Sequence, residues 1–195
     1  VLFRSGEGPR SAQEIARRAV ACLLAIQVAC DICQENDVEY SREFFEQKLE
    51  NYDVKDELTE KERVIFYGEP TQQDAINMAW KYEAYWVLLW ALGIVEELSF
   101  PDDTCDCEFA IEAVDSFDNM DSFMEQVTLR DWEEILQEAD LIYRYDWAVV
   151  QARVDKKPAP AGMDSGVVFE RHWAFNWLLG KNGDNENWDD VSTDT

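Results

Sequence analysis

The stretch Thr71–Gly93, TQQDAINMAWKYEAYWVLLWALG, decides the fold class. Thr71 with Asp74 three residues on is the signature of a helix start, where a side-chain oxygen accepts a backbone N–H that has no partner inside the helix. Gly93 suits the left-handed position that closes a helix. The apolar residues between them do not alternate with the period of two that a half-buried strand needs, and the run is too long for an ordinary strand. The spacing therefore predicts one long helix from Thr71 to Leu92. Its most apolar part, Tyr85 to Val95, lies between Glu83 and Glu96 and is too short to span a bilayer.

The same punctuation recurs outward from this segment. Ser11 and Glu14 form a capping box for a helix over Ala12 to Cys33, a second helix follows over Ser41 to Leu49, and Thr59 with Glu62 opens a short one that stops at Gly68. Beyond Pro101, the stretch from Cys107 to Val127 reads as two short helices parted near Asp118-Asn119. Asp131 is placed to cap a helix running to about Val154, and Lys156–Gly162 is a loop rich in Pro. Asp164 precedes a last helix, Gly166 to Leu179, ended by Gly180, after which Trp188 is expected to fold back onto the body. The prediction is an all-α, single compact multi-helix domain of about seven or eight helices over residues 10–195. The Trp80–Trp90 and Gly166–Leu179 segments are central because they are apolar on most faces. Val1–Ser5 reads as translated sequencing adapter, so residues 1–9 are expected to be a non-native or disordered leader, with the true start missing.

Composition narrows the function. With 47% hydrophobic and 13% aromatic residues the chain has material for a large core, while 17 basic against 42 acidic residues leave a net charge of −25. Between Glu96 and Asp140 stand sixteen acids and one base, Arg130. Such a field repels nucleic acids and anionic membranes and attracts basic proteins or cations; otherwise it serves solubility. Arg17-Arg18 before the apolar stretch Ala19–Cys30 has the outline of a signal peptide. The interruption at Gln27 and the capping box before the arginines favour a packed helix, so a cytoplasmic protein without transmembrane segments is expected. The five cysteines are an odd number, as expected for a reducing compartment. Cys30-x-x-Cys33 and Cys105-x-Cys107 lack the turn chemistry of a zinc knuckle, and the tail acids Asp184, Glu186, Asp189 and Asp190 lack the spacing of a calcium loop, so neither a metal nor a cofactor is expected.

Ionisable residues inside aromatic helices are the candidates for a site. Asp140, Arg144 and Asp146 sit among Leu141, Ile142, Tyr143, Tyr145 and Trp147, and Glu170, Arg171, His172 and Asn176 sit among Val167, Val168, Phe169, Trp173, Phe175 and Trp177. Glu83 has Ala79, Trp80, Trp86, Val87 and Trp90 as its helical neighbours, so its carboxylate needs a cation. Arg144 and Arg171 are the natural partners for Glu83 and Glu170. The set Glu83, Asp140, Arg144, Glu170, Arg171, His172 and Asn176, with tail acids Asp189, Asp190 and Asp194, is either an internal network that fixes helix register or the lining of a pocket. His172 is correspondingly either a hydrogen-bonded core imidazole or an acid–base group. Phosphate-loop, dinucleotide-loop, nucleophile-elbow and zinc-protease motifs are all missing.

Several of these segments carry a resemblance. Arg10-Ser11-x-x-Glu14-Ile15-Ala16-Arg17-Arg18, Trp80-x-Tyr82-Glu83-Ala84 with Leu88–Gly93, Asp140–Arg144 with Trp147-Ala148, Pro160-Ala161-Gly162, Val167-Val168-x-Glu170-Arg171-His172 with Ala174-x-Asn176-Trp177-Leu178, and Trp188–Val191 with Thr193-Asp194-Thr195 resemble the bacterial domain of unknown function 4272. The resemblance spans nearly the whole chain from Arg10. It implies a shared framework at the matching polar positions and supplies no activity. Two function classes follow from the residues. One is a soluble acidic protein that engages a basic partner, without nucleic acid or membrane; the other is an enzyme or small-ligand-binding protein built on the Glu/Arg/His set.

Overall fold

The computed structural model describes residues 10–180 and 185–194. The expected leader at 1–9 lies outside them, as do Asp184 and Thr195. Among the described residues every regular element is helical. In chain order they are α1 (Ala12–Cys33), α2 (Val38–Asn51), α3 (Glu60–Tyr67), α4 (Gln72–Trp80), α5 (Tyr82–Ala91), α6 (Cys107–Asp115), α7 (Met120–Met124), α8 (Trp132–Val154) and α9 (Ser165–Leu179), with short 3₁₀ turns at 55–57, 160–162 and 188–190.

Most helix starts are where their chemistry puts them; α2 begins three residues before the expected Ser41, because Asp37 caps it by accepting the Tyr40 N–H. Ser11 with Glu14, Thr59 with Glu62, and Thr71 with Asp74 form reciprocal capping boxes. Asp164 accepts the N–H groups of Gly166 and Val167. Asp131 stands at the N-cap of α8, yet its side chain makes no capping bond. The single helix expected over Thr71–Leu92 is two, α4 and α5, joined through Lys81, whose φ of −62° and ψ of −7° stay in the helical region. The small break there is local: α5 begins on Lys81 without a side-chain cap.

Burial explains the arrangement. α1 packs against α2, α3, α4 and α5, and α9 packs against α5 and α8. α5 buries Glu83, Ala84, Tyr85 and the whole run Val87–Ala91, and α9 buries nine of its fifteen residues, so both are central as their all-round apolar sequences require. α1 joins them: Gln27, the interruption in its apolar run, donates a hydrogen bond to the Tyr82 hydroxyl, which satisfies the one amide in that stretch. No described helix is long and apolar enough to cross a membrane. Gly93 ends α5 with φ of +74°, and a Cβ there would meet the Thr128 carbonyl oxygen at 2.4 Å. The close approach is held by Thr128 N–H on Leu92 O and by the Arg130 guanidinium on the carbonyls of Trp90, Val95 and Glu96. The lone base of the acidic stretch thus ties the segment leading into α8 to the end of α5, and it also pairs with Glu134 one turn on.

The tail folds back as expected. Trp188 is buried and meets Trp177 edge to face, while the carbonyls of Trp188 and Glu186 accept the indole N–H groups of Trp173 and Trp177. Arg10 lies over Trp177 and donates to the carbonyls of Trp177 and Glu186, fastening the tail to the start of α1.

Candidate functional site

Glu170, Arg171 and His172 are consecutive on α9, and consecutive helical residues point about 100° apart. They therefore enter three different environments. Arg171 is wholly buried and faces α5, where its Nε lies 3.3 Å from Glu83 Oε2, and its Nη1 donates to the Ser99 carbonyl at 2.6 Å. The other Glu83 oxygen accepts the Cys105 N–H at 2.5 Å. His172 faces α8. Its Nδ1 lies 3.2 Å from Asp146 Oδ2, off the line of a well-aligned hydrogen bond, and Asn176 donates to Nε2 at 3.0 Å and to Ser192 O at 2.8 Å. Glu170 alone faces a cleft, where its Oε2 takes a 2.8 Å bond from Lys81 Nζ.

The cleft has a volume of about 780 Å³ and is lined by Trp80, Phe169 and Trp173 together with the charged side chains Lys61, Asp74, Lys81, Arg153, Glu170 and Asp189. Lys81 lies 3.6 Å from the centre of the Trp173 ring, so one ammonium serves both the carboxylate and the indole face. Asp189 comes from the tail: its Oδ2 accepts the Lys61 N–H at 3.0 Å, and Lys61 Nζ donates to its carbonyl at 2.8 Å. Gly166 makes room for Trp80, since a Cβ there would sit 2.8 Å from the ring. Asp190 and Asp194 are exposed outside the cleft; Asp190 accepts from Asn187 and the Asp194 N–H bonds Ser192 Oγ.

Two expectations are corrected here. Arg144 pairs with neither Glu83 nor Glu170. It forms an exposed bridge one turn along α8 to Asp140, at 2.5 Å, with 71% of its side chain in solvent. Glu170 takes Lys81, a cation the helical spacing did not single out. The reason is geometric: Asp140 and Arg144 lie on the outer face of α8, opposite the Ile142–Asp146 side that packs inward. Also missed were Asp146 as the partner of His172 and the bridge from Arg18 to Glu62, at 2.5 and 2.6 Å, both side chains at most 5% exposed. Arg18 had a signal, because its i±3 and i+4 neighbours Ile15, Ala21 and Cys22 are all apolar.

Burial raises the Glu170 carboxyl above the ordinary carboxylate range, the Lys81 ammonium opposes this, and the nearby Glu83 carboxylate adds to it. A raised folded-state value means that the folded protein holds a proton the unfolded chain has released. The resulting stability is full below the unfolded value and is lost as pH rises through the folded one. A carboxyl-carbon NMR titration is expected to show a step above the ordinary range that vanishes in Glu170→Gln. Persistence of every elevated step in that variant would remove Glu170 from the assignment.

The family model described as Domain of unknown function (DUF4272) matches residues 4–191. No curated protein and no solved structure matches the chain. Among the described residues no group of three or more His, Cys, Asp or Glu side chains is spaced to hold a metal ion.

Proposed function

The chain belongs to the DUF4272 family of domains of unknown function, so its site has to be read from its own chemistry, and we propose that it binds a small organic ligand in the Glu170–Asp189 cleft. The observation that carries this reading is a carboxylate, 94% buried by residue, opening onto an aromatic-walled space of about 780 Å³. That size falls within the range of roughly 300–1,000 Å³ typical of small-molecule sites, and a few convergent polar groups on apolar walls are their usual construction. Trp80, Phe169 and Trp173 line the space with aromatic surface, and Glu170, paired with Lys81, supplies a carboxylate for a hydroxyl or amine. The ligand class is therefore a ring compound carrying a hydrogen-bond donor. Ligand-observed NMR with a fragment set of such compounds is the test. Binding is expected in the full chain and is expected to be lost in both Glu170→Ala and Trp173→Ala. Binding that survives both substitutions, or its absence throughout the set, would refute the cleft as the site.

A second reading rests on a separate observation. Of the sixteen acids between Glu96 and Asp140, fifteen are exposed and Glu138 is half-buried. Only Asp115, Glu134 and Asp140 have a salt-bridge partner among the described residues. We infer a face suited to a basic protein, with binding that weakens steeply between low and physiological salt because exposed charges are screened over about 10 Å. Neutralising Asp115, Asp118, Asp121 and Glu125 is expected to leave the denaturation midpoint nearly unchanged and to abolish capture of one identified basic protein. Unchanged capture would leave the acidic face as a solubility feature.

A further inference from the structure

The charges that line the cleft do not all cancel in pairs. Glu170 is matched by Lys81 at 2.8 Å, and Lys61 and Asp189 hold each other through the Lys61 N–H and the Asp189 carbonyl. Asp74 and Arg153 are left. Asp74 is turned to its own helix start, where one of its oxygens accepts both the Thr71 N–H at 2.8 Å and the Thr71 hydroxyl at 2.7 Å. Arg153 has no comparable partner. It stands exposed in the last turn of α8, and among the described residues its side chain makes neither a salt bridge nor a hydrogen bond. In a chain of 42 acidic and 17 basic residues that is unusual, and of the other described lysines and arginines only Lys156 shares it.

The position of Arg153 along the cleft follows from how α8 and α9 run. Val168 packs with Val149, and four residues on His172 meets Asp146, so the two helices are antiparallel and the end of α8 lies beside the start of α9. Arg153 therefore shares the Ser165–Gly166 end of the cleft. Glu170 lies about 7.5 Å further along the α9 axis than Ser165, by the rise of a helix. Trp80 and Phe169 line the same part of the cleft, and each is left 39% exposed. Cation, aromatic surface and buried carboxylate thus follow one another over a length that a benzene ring with a substituent at each end spans. Given the cleft as the ligand site proposed above, we propose that its ligand is an aromatic carboxylate, held by Arg153 at its acid group and by Glu170 at a hydroxyl or amine on the far side of the ring. A guanidinium presents paired N–H donors that match a carboxylate. The net charge of −25 repels anions in general, so an unpaired local cation decides whether one is accepted.

The test is calorimetric titration of the full chain with para-(aminomethyl)benzoate and with its neutral amide, para-(aminomethyl)benzamide, which differ in the charge they offer Arg153. The acid is expected to bind about tenfold tighter than the amide, as a charge-assisted hydrogen bond does relative to a neutral one. In Arg153→Gln the acid is expected to fall to the affinity of the amide. Lys156→Gln, which removes the other base without a partner and lies outside the cleft lining, is expected to keep the preference for the acid. Arg153 is exposed, so its replacement leaves the fold testable. Three results would overturn the proposal: equal affinities for acid and amide in the unsubstituted chain, a preference that survives Arg153→Gln, or its loss in Lys156→Gln, which would mark a response to overall charge. In each of them the cleft stands as the ligand site if Trp173→Ala abolishes binding of both probes. Failure of both probes to bind the unsubstituted chain would also overturn the aromatic carboxylate, and the wider fragment set then decides whether the cleft binds at all.

Discussion

Arg171→Met is expected to lower the free energy of unfolding by about 3–5 kcal/mol, because it leaves the Glu83 carboxylate buried without its cation. Glu83 is 2% exposed and Arg171 is not exposed at all, so water cannot take over the lost interaction without opening the α5–α9 contact. The same substitution releases the Ser99 carbonyl, which loses a 2.6 Å charge-assisted bond. Arg144→Met is the control: an exposed bridge within one helix contributes about 0.3–0.5 kcal/mol. Urea denaturation of the two variants should separate them by several kcal/mol. Similar midpoints would mean that Glu83 finds another partner or loses its charge at little cost. Glu83→Gln added to Arg171→Met, which keeps an acceptor for the Cys105 N–H, should recover part of the loss, as removing an unpaired charge does.

Arg18→Met should cost a similar amount, about 3–5 kcal/mol, and should also disturb the cleft. Glu62 has no exposure, and both its oxygens lie on Arg18 Nη2, while Arg18 Nη1 holds the Glu57 carbonyl at 2.7 Å. Glu62 is at the same time the reciprocal member of the Thr59 capping box, so the stranded carboxylate sits at the start of α3. That start carries Lys61, which holds Asp189, and the Arg18 guanidinium lies 5.5 Å from the Trp188 ring. Loss of Arg18 therefore reaches the tail that forms one wall of the cleft. Arg18→Lys, which keeps the charge and loses the planar donor pair, is expected to fall between the wild type and Arg18→Met. Proteolysis of the tail should accelerate in Arg18→Met; an unchanged tail with an unchanged midpoint would show that the bridge contributes little.

Helix boundaries were legible because their signals act over three or four residues. Ser11 with Glu14, Thr59 with Glu62, Thr71 with Asp74 and Gly93 each satisfy backbone groups beside them, and that chemistry needs no tertiary context. The same locality explains what was misread. The aromatic residues around Arg144 read as a core setting for a cation, yet four-residue spacing joins it to Asp140 on the outer face of α8. Lys81 carries no local signal, because its partner is 89 residues away and its place is set by the turn between α4 and α5.

By itself the sequence determined the all-α class, the start and end of most helices, the centrality of α5 and α9, and the fact that Glu83, Glu170, Arg171 and His172 must be satisfied inside the protein. These follow from backbone hydrogen bonding within a turn and from the cost of burying charge, both of which are local properties. Tertiary structure alone decided which cation meets which carboxylate, sent three consecutive residues of α9 to three separate partners, and brought Lys61 and Asp189 across 128 residues to face Glu170 over one cleft. Those outcomes depend on how helices cross and on where the tail lies, and interactions between distant segments are fixed only when the whole core is packed.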